Sequence, residues 1–115
     1  MPKALVIELS GEKPADTIAV YNRVMKYFGG VAHRIEVERI EKSNRRGIIV
    51  IFLEPDRIIA VNVDLPKKEV IVSIKDSADE LTQDLWKALI NRLCETWRGS
   101  VCKPFEEPNQ QLKGV

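Results

Sequence analysis

The sequence predicts an α+β fold: a curved antiparallel β-sheet of four to five strands with two helices packed on one face, in the order β-α-β-β-β-β-α. Three observations carry this expectation. Residues 31–75 alternate apolar runs with the turn signals SNRRG, EPDR and PKKE, the rhythm of consecutive hairpins. The flanking stretches 14–28 and 77–97 repeat apolar residues at helical spacing. At 115 residues the chain makes a single domain able to bury about two thirds of its unfolded surface.

Taken in order, ALVIEL (4–9) reads as a short, mostly apolar strand ended by SGEKP. Pro14 suits a first helical turn and Asp16 complements the helix dipole. Ile18, Tyr21, Val24, Met25 and Phe28 then form one stripe before Gly29 and Gly30 stop the helix. Residues 31–42 alternate, with Val31, His33, Ile35 and Val37 on the core side. Residues 48–53, 58–65 and 70–75 supply three more strands. Ser77 and Glu80 have capping-box spacing, and Leu81, Leu85, Trp86, Leu89, Ile90, Leu93, Cys94 and Trp97 make a broad stripe that Gly99 ends. Residues 1–100 are thus expected to form the domain, and 101–115, with Pro104 and Pro108, an extended C-terminal tail.

Composition narrows the setting without naming a partner. Apolar residues at 44% and charged residues at 30% exclude disorder, and a net charge of +1 points to no ligand class. No apolar run approaches the roughly 18 residues of a membrane span, and Met-Pro-Lys leads straight into strand pattern, so the expected location is cytoplasmic with no membrane partner. Cys94 and Cys102 lack zinc spacing; buried thiols and a disulfide across the short intervening loop are the two readings. A surface rich in Lys, Arg and Glu with scarce Gln hints at a thermophilic source.

The run Ile48 to Leu53 is apolar on both faces of its strand, and one helix layer covers only one of them. If Glu54 pairs with Arg57 across a two-residue turn, Phe52 faces Ile59, Val50 faces Val61 and Ile48 faces Val63. With Leu65 opposite Val70, these residues line the helix side. The other side then carries Ile49, Ile51, Leu53, Ile58, Ala60 and Ile71, bordered by Arg34, Glu36, Glu38, Asn62, Ser73 and Lys75. A one-residue slip would exchange the two sets. An uncovered apolar strip of this kind marks a partner surface, a ligand groove or a seat for the tail.

No Gly-rich phosphate loop, HExxH or triad spacing is present, so no catalytic residue, metal site or cofactor is expected. His33 reads as a structural histidine. Glu36, Glu38, Glu41, Asp64 and Asp76 read as outward-facing charges, with a magnesium site the alternative. Lys42, Arg45 and Arg46 crowd one turn, Arg57 occupies another, and Arg34 and Lys75 flank the strip. Cations along an apolar trough suit single-stranded nucleic acid, whose phosphates would follow the rim while bases bury their faces. The competing reading is that these cations only solubilise turns. Trp97 beside Arg98, with Tyr27 and Phe105, supplies candidate stacking rings, with core or tail anchoring the alternative.

The strand GIIVIFL, the turns KSNRRG and EPDR, and the helix SADELTQDLWKALINRLCETW together resemble the ThermoDBP-related single-stranded DNA-binding proteins of thermophilic archaea. That resemblance implies binding of single strands, DNA before RNA, without sequence preference. It implies cleft walls at Ile49, Ile51, Leu53 and Ile58 and rim contacts at Arg34, Arg45, Arg46 and Arg57. Larger members carry a C-terminal helical zipper, whereas PFEEPNQQLKGV has no heptads. A protein-interaction or homodimerisation module using the same sheet face is the alternative expectation, and a small-molecule site in the trough a third.

Overall fold

The computed structural model describes residues 3–41, 43–54, 57–75 and 77–104. The chain runs β1 (Lys3–Glu8), α1 (Thr17–Phe28), β2 (Arg34–Ile40), β3 (Arg46–Glu54), β4 (Arg57–Asp64), β5 (Glu69–Ile74), α2 (Glu80–Thr96) and β6 (Val101–Pro104). The fold is α+β: one six-stranded antiparallel sheet in the order β2-β3-β4-β5-β1-β6, with both helices on one side. Strands β2 to β5 form the expected meander, and β1 joins it beyond β5. The sixth strand falls at residues 101–104, in the segment read as tail. It pairs with β1, setting Cys102 beside Ile7 and Lys103 beside Val6. Four residues ending at a proline carry too little alternation to be seen in the sequence.

The core is built from cross-strand rows. Ile35, Ile51, Ile59 and Ile74 form one, and Val37, Ile49, Val61, Val72 and Leu5 the next. Their central members are fully or almost fully buried. Val20, Val24 and Phe28 of α1 and Trp86, Leu89, Ile90 and Leu93 of α2 complete the cluster. Each such side chain contributes about 1.5–3 kcal/mol on burial. Trp86 also donates its indole N–H to the Val72 carbonyl at 2.9 Å, tying α2 to the centre of the sheet.

The register of β3 corrects the sequence expectation. Glu54 does pair with Arg57, but a bulge between Phe52 and Glu54 inserts one residue, and beyond it Ile51 faces Ile59 and Ile49 faces Val61. Every side chain of β3 up to Phe52 therefore lies on the face opposite to that expected. The β4–β5 hairpin slips by two residues, an even number, so its faces are unchanged: Val63 faces Val70 across the turn 65–68. There Lys68 adopts φ +59° and its N–H donates to Leu65 O at 2.9 Å.

The helix starts also differ. Asp16 is the N-cap of α1, accepting from Ala19 N at 2.9 Å, so the helix begins at Thr17 rather than at Pro14. Asp79, not Ser77, caps α2, accepting from Thr82 N at 3.1 Å. Aspartate and serine cap comparably well, and the one nearer the apolar stripe takes the position. Leu81, expected in that stripe, is exposed, as is His33, which precedes β2 instead of pointing into the core. Cys94 of α2 and Cys102 of β6 are joined in a disulfide, with Cα atoms 6.6 Å apart.

The bulge makes a paired test of β3. Ile51→Asp puts an unpaired charge among fully buried aliphatics and is expected to cost several kcal/mol, enough to abolish a cooperative urea transition. Val50→Lys, one residue away and opposite Glu36, is expected to cost about 1 kcal/mol or less in the same experiment.

Candidate nucleic-acid interface

With β3 so placed, the face away from the helices can be read row by row. Arg34, Phe52 and Ile58 form one row; Glu36, Val50, Ala60, Ser73 and Ala4 the second; Arg39, Ile48, Asn62, Ile71, Val6 and Lys103 the third. A fourth, charged row holds Arg46, Asp64, Glu69 and Glu8. Ile48, Val50, Phe52, Ile58, Ala60 and Ile71 are half-buried by their neighbours, and no described helix packs over them. An antiparallel sheet facing water normally alternates to polar residues on that side. This one stays apolar through its middle.

Several expected site residues belong elsewhere. Ile49 and Ile51 are fully buried beneath the helices, Trp97 is buried at the end of α2, and Leu53 packs toward the helix side, beside Val31, Leu81 and Leu85. None of the four is available as a cleft wall or stacking ring on the open face. The reason is the bulge for the β3 residues. For Trp97 it is that the apolar stripe of α2 continues to its C-cap. Lys42 and Phe105 lie outside the described residues. In place of the lost positions the open face gains Ile48, Val50 and Phe52, and Arg39, which sequence reasoning passed over because only the bulge between Val37 and Arg39 turns it to this side.

Phe52 is the aromatic of this surface. The Arg34 guanidinium lies over its ring, 4.1 Å from the centroid, and a nitrogen of the same group is 3.4 Å from Glu36. A cation over an aromatic face is attracted by the ring quadrupole, and the stacked pair presents a flat platform. Arg57 and Lys75 lie at the same end of the sheet, around a cleft of about 280 Å³ that Ile58, Ser77, Asp79 and Thr82 also line. Arg57 reaches Asp79 at 3.2 Å. Arg45 and Arg46 sit at the other end of β3, about 20 Å from Phe52 at strand rise. There Arg46 pairs with Asp64 at 3.3 Å and Glu41 at 3.6 Å, which hold its guanidinium firmly charged. The expected rim is thus divided. Its basic end adjoins Phe52, and its other end is mixed with acidic groups.

Asp79 organises the basic end. The Thr82 hydroxyl and the Thr82 amide beside it, with the Arg57 guanidinium, hold its carboxyl below the usual carboxylate range. The Thr82 hydroxyl oxygen is buried and forms no hydrogen bond of good geometry among the described residues. The amide at 3.1 Å and Arg57 at 3.2 Å are therefore the stronger ties. Among the described residues no three His, Cys, Asp or Glu side chains converge as a metal site, and no helix is long and apolar enough to cross a membrane.

No family model matches the chain, and neither a curated protein nor a solved structure does.

A lowered carboxyl pKa contributes stability that is complete above the unfolded value of about 3.9 and is lost as pH falls through the folded value. The stability difference between the wild type and Asp79→Asn, measured by urea unfolding, is expected to be constant from neutral pH to about pH 5. Below about pH 4 it should narrow as Asp79 itself becomes neutral.

Proposed function

We propose that the protein is a non-enzymatic, sequence-independent binder of single-stranded nucleic acid, acting in the cytoplasm without a cofactor. In this reading bases lie on the Phe52 end of the uncovered face and phosphates follow Arg34, Arg57 and Lys75. The observation that carries it is the Arg34–Phe52 stack on a sheet surface that no described helix covers. Bases of any identity stack on rings and guanidinium planes, so such a platform supplies affinity without sequence readout. Ile48, Val50, Ile58 and Ala60 extend it as an apolar floor. The preference for DNA, the thermophilic source and kinship with the ThermoDBP-related proteins form part of the same proposal and rest on the resemblance in sequence pattern.

A second reading is favoured by a different observation. Apart from Phe52 the apolar floor is aliphatic, and branched aliphatics pack against another apolar surface better than they stack. A homodimer or a larger protein partner would cover the same face, and a copy packed face to face would gain from the basic and acidic ends meeting.

Fluorescence anisotropy with labelled dT, dA, RNA and duplex oligonucleotides tests the first reading. Single strands should bind better than duplex. With about three phosphate contacts, log K is expected to fall with log salt at a slope near −2. Phe52→Ala should weaken binding by about 1–3 kcal/mol, and Arg34→Glu should weaken it further. Reversal of Arg45 and Arg46 should matter less, because both lie at the far end of β3, where Arg46 is paired with Asp64. No binding to any strand, together with a stable dimer in sedimentation, would replace this reading with the second.

A further inference from the structure

We infer that β6 is a redox-released strap: the Cys94–Cys102 disulfide holds it against β1, and reduction lets it detach while the rest of the domain stays folded. The inference concerns the edge of the sheet and stands apart from whatever occupies the open face.

Among the described residues, β6 has little hold on the domain besides that bond. It pairs with β1 over four residues and ends at Pro104, which has no amide to donate. Val101 is 50% exposed, Cys102 and Lys103 are exposed as well, and none of the three joins the core cluster. Lys103 pairs with Glu8 at the surface, where an ion pair contributes little. Cys102, beside Ile7, faces the helices and carries the covalent link to α2. A segment with so few buried apolar contacts belongs to the low end of local stability unless it is tied down.

The release has a defined limit. Just ahead of β6, the Glu12 N–H donates to the Arg98 carbonyl at 2.8 Å, the Ser10 hydroxyl donates to Gly99 O at 2.6 Å, and Trp97 is buried. These contacts hold the end of α2 without help from the disulfide. Detachment therefore begins after Gly99, and α2 keeps its place. What it uncovers is the outer edge of β1, whose backbone groups facing β6 become free to pair with another extended chain.

The bond is open to exchange. Cys102 is exposed and Cys94 half-buried, so the Cys102 sulfur is the more approachable. One thiolate of a dithiol reductant forms a mixed disulfide with Cys102 and expels Cys94 as the thiolate. The second thiolate then closes the reductant's own disulfide and expels Cys102. Two electrons pass to the protein, and the two protons of the dithiol end on the two cysteines. With two cysteines in the chain, no other pairing within it competes. The cytoplasmic setting proposed above contains such dithiols, and disulfides found there are usually transient or redox-sensing.

Hydrogen exchange read by mass spectrometry tests this on the oxidised protein, on the protein reduced with dithiothreitol, and on the double variant Cys94→Ser with Cys102→Ser. Reduction should speed exchange of the protected amides of β6 by about tenfold or more, with α2 and β4 unchanged. The double variant should match the reduced protein without reductant, which separates loss of the bond from other effects of the dithiol. Equal protection of β6 in all three samples overturns the strap. Faster exchange throughout α2 and β4 on reduction overturns it too, because the bond would then staple the whole domain. Alkylation of both thiols by iodoacetamide after treatment with oxidised glutathione would remove the bond itself and the inference with it.

Discussion

The packing of two helices onto the rows Ile35–Ile51–Ile59–Ile74 and Val37–Ile49–Val61–Val72–Leu5 is the constraint from which the rest of the molecule follows. Side chains alternate along a strand, so burying these rows commits every other residue of the sheet to the opposite side. Phe52, Val50 and Ile48 are on the open face because Ile51 and Ile49 are not. The platform, the division of the rim into basic and mixed ends, and the cleft beside Ile58 all inherit their positions from that choice.

The strand and helix pattern was legible because its periods were clear. The stripe of α2, the hairpin spacing and the class of fold follow from where apolar residues recur. The face of β3 was not legible, for a physical reason: a run from Ile48 to Leu53 that is apolar at every position has no phase of its own. Its phase comes from the bulge after Phe52, a matter of backbone pairing that leaves no mark in composition. The candidate site inherited this uncertainty. Charged residues on clearly alternating strands, such as Arg34, were placed on a face by their own pattern. Arg39 was missed because a second bulge turns it, and Asp79 because Ser77 offered an equally good cap two residues earlier.

The edges of the sheet bear on which surface is free to act. At one edge β2 exposes Arg34, Glu36, Glu38 and Arg39 and is broken by its bulge, features that discourage pairing with a second strand. At the other, β6 is four residues long and ends on Pro104, and its Cys102 is linked to α2. Association through continuous hydrogen bonding is thus poorly supported at both edges. The broad face between them carries a continuous run of half-buried apolar side chains.

The indole rings of Trp86 and Trp97 and the phenols of Tyr21 and Tyr27 all belong to the helical layer, across the sheet from Phe52. The protein's intrinsic fluorescence therefore reports on whether the core is assembled and is almost blind to what occupies the open face. A ligand could saturate that face with little change in emission, while loss of the helix layer would change it strongly. Occupancy has to be read from the ligand's own signal.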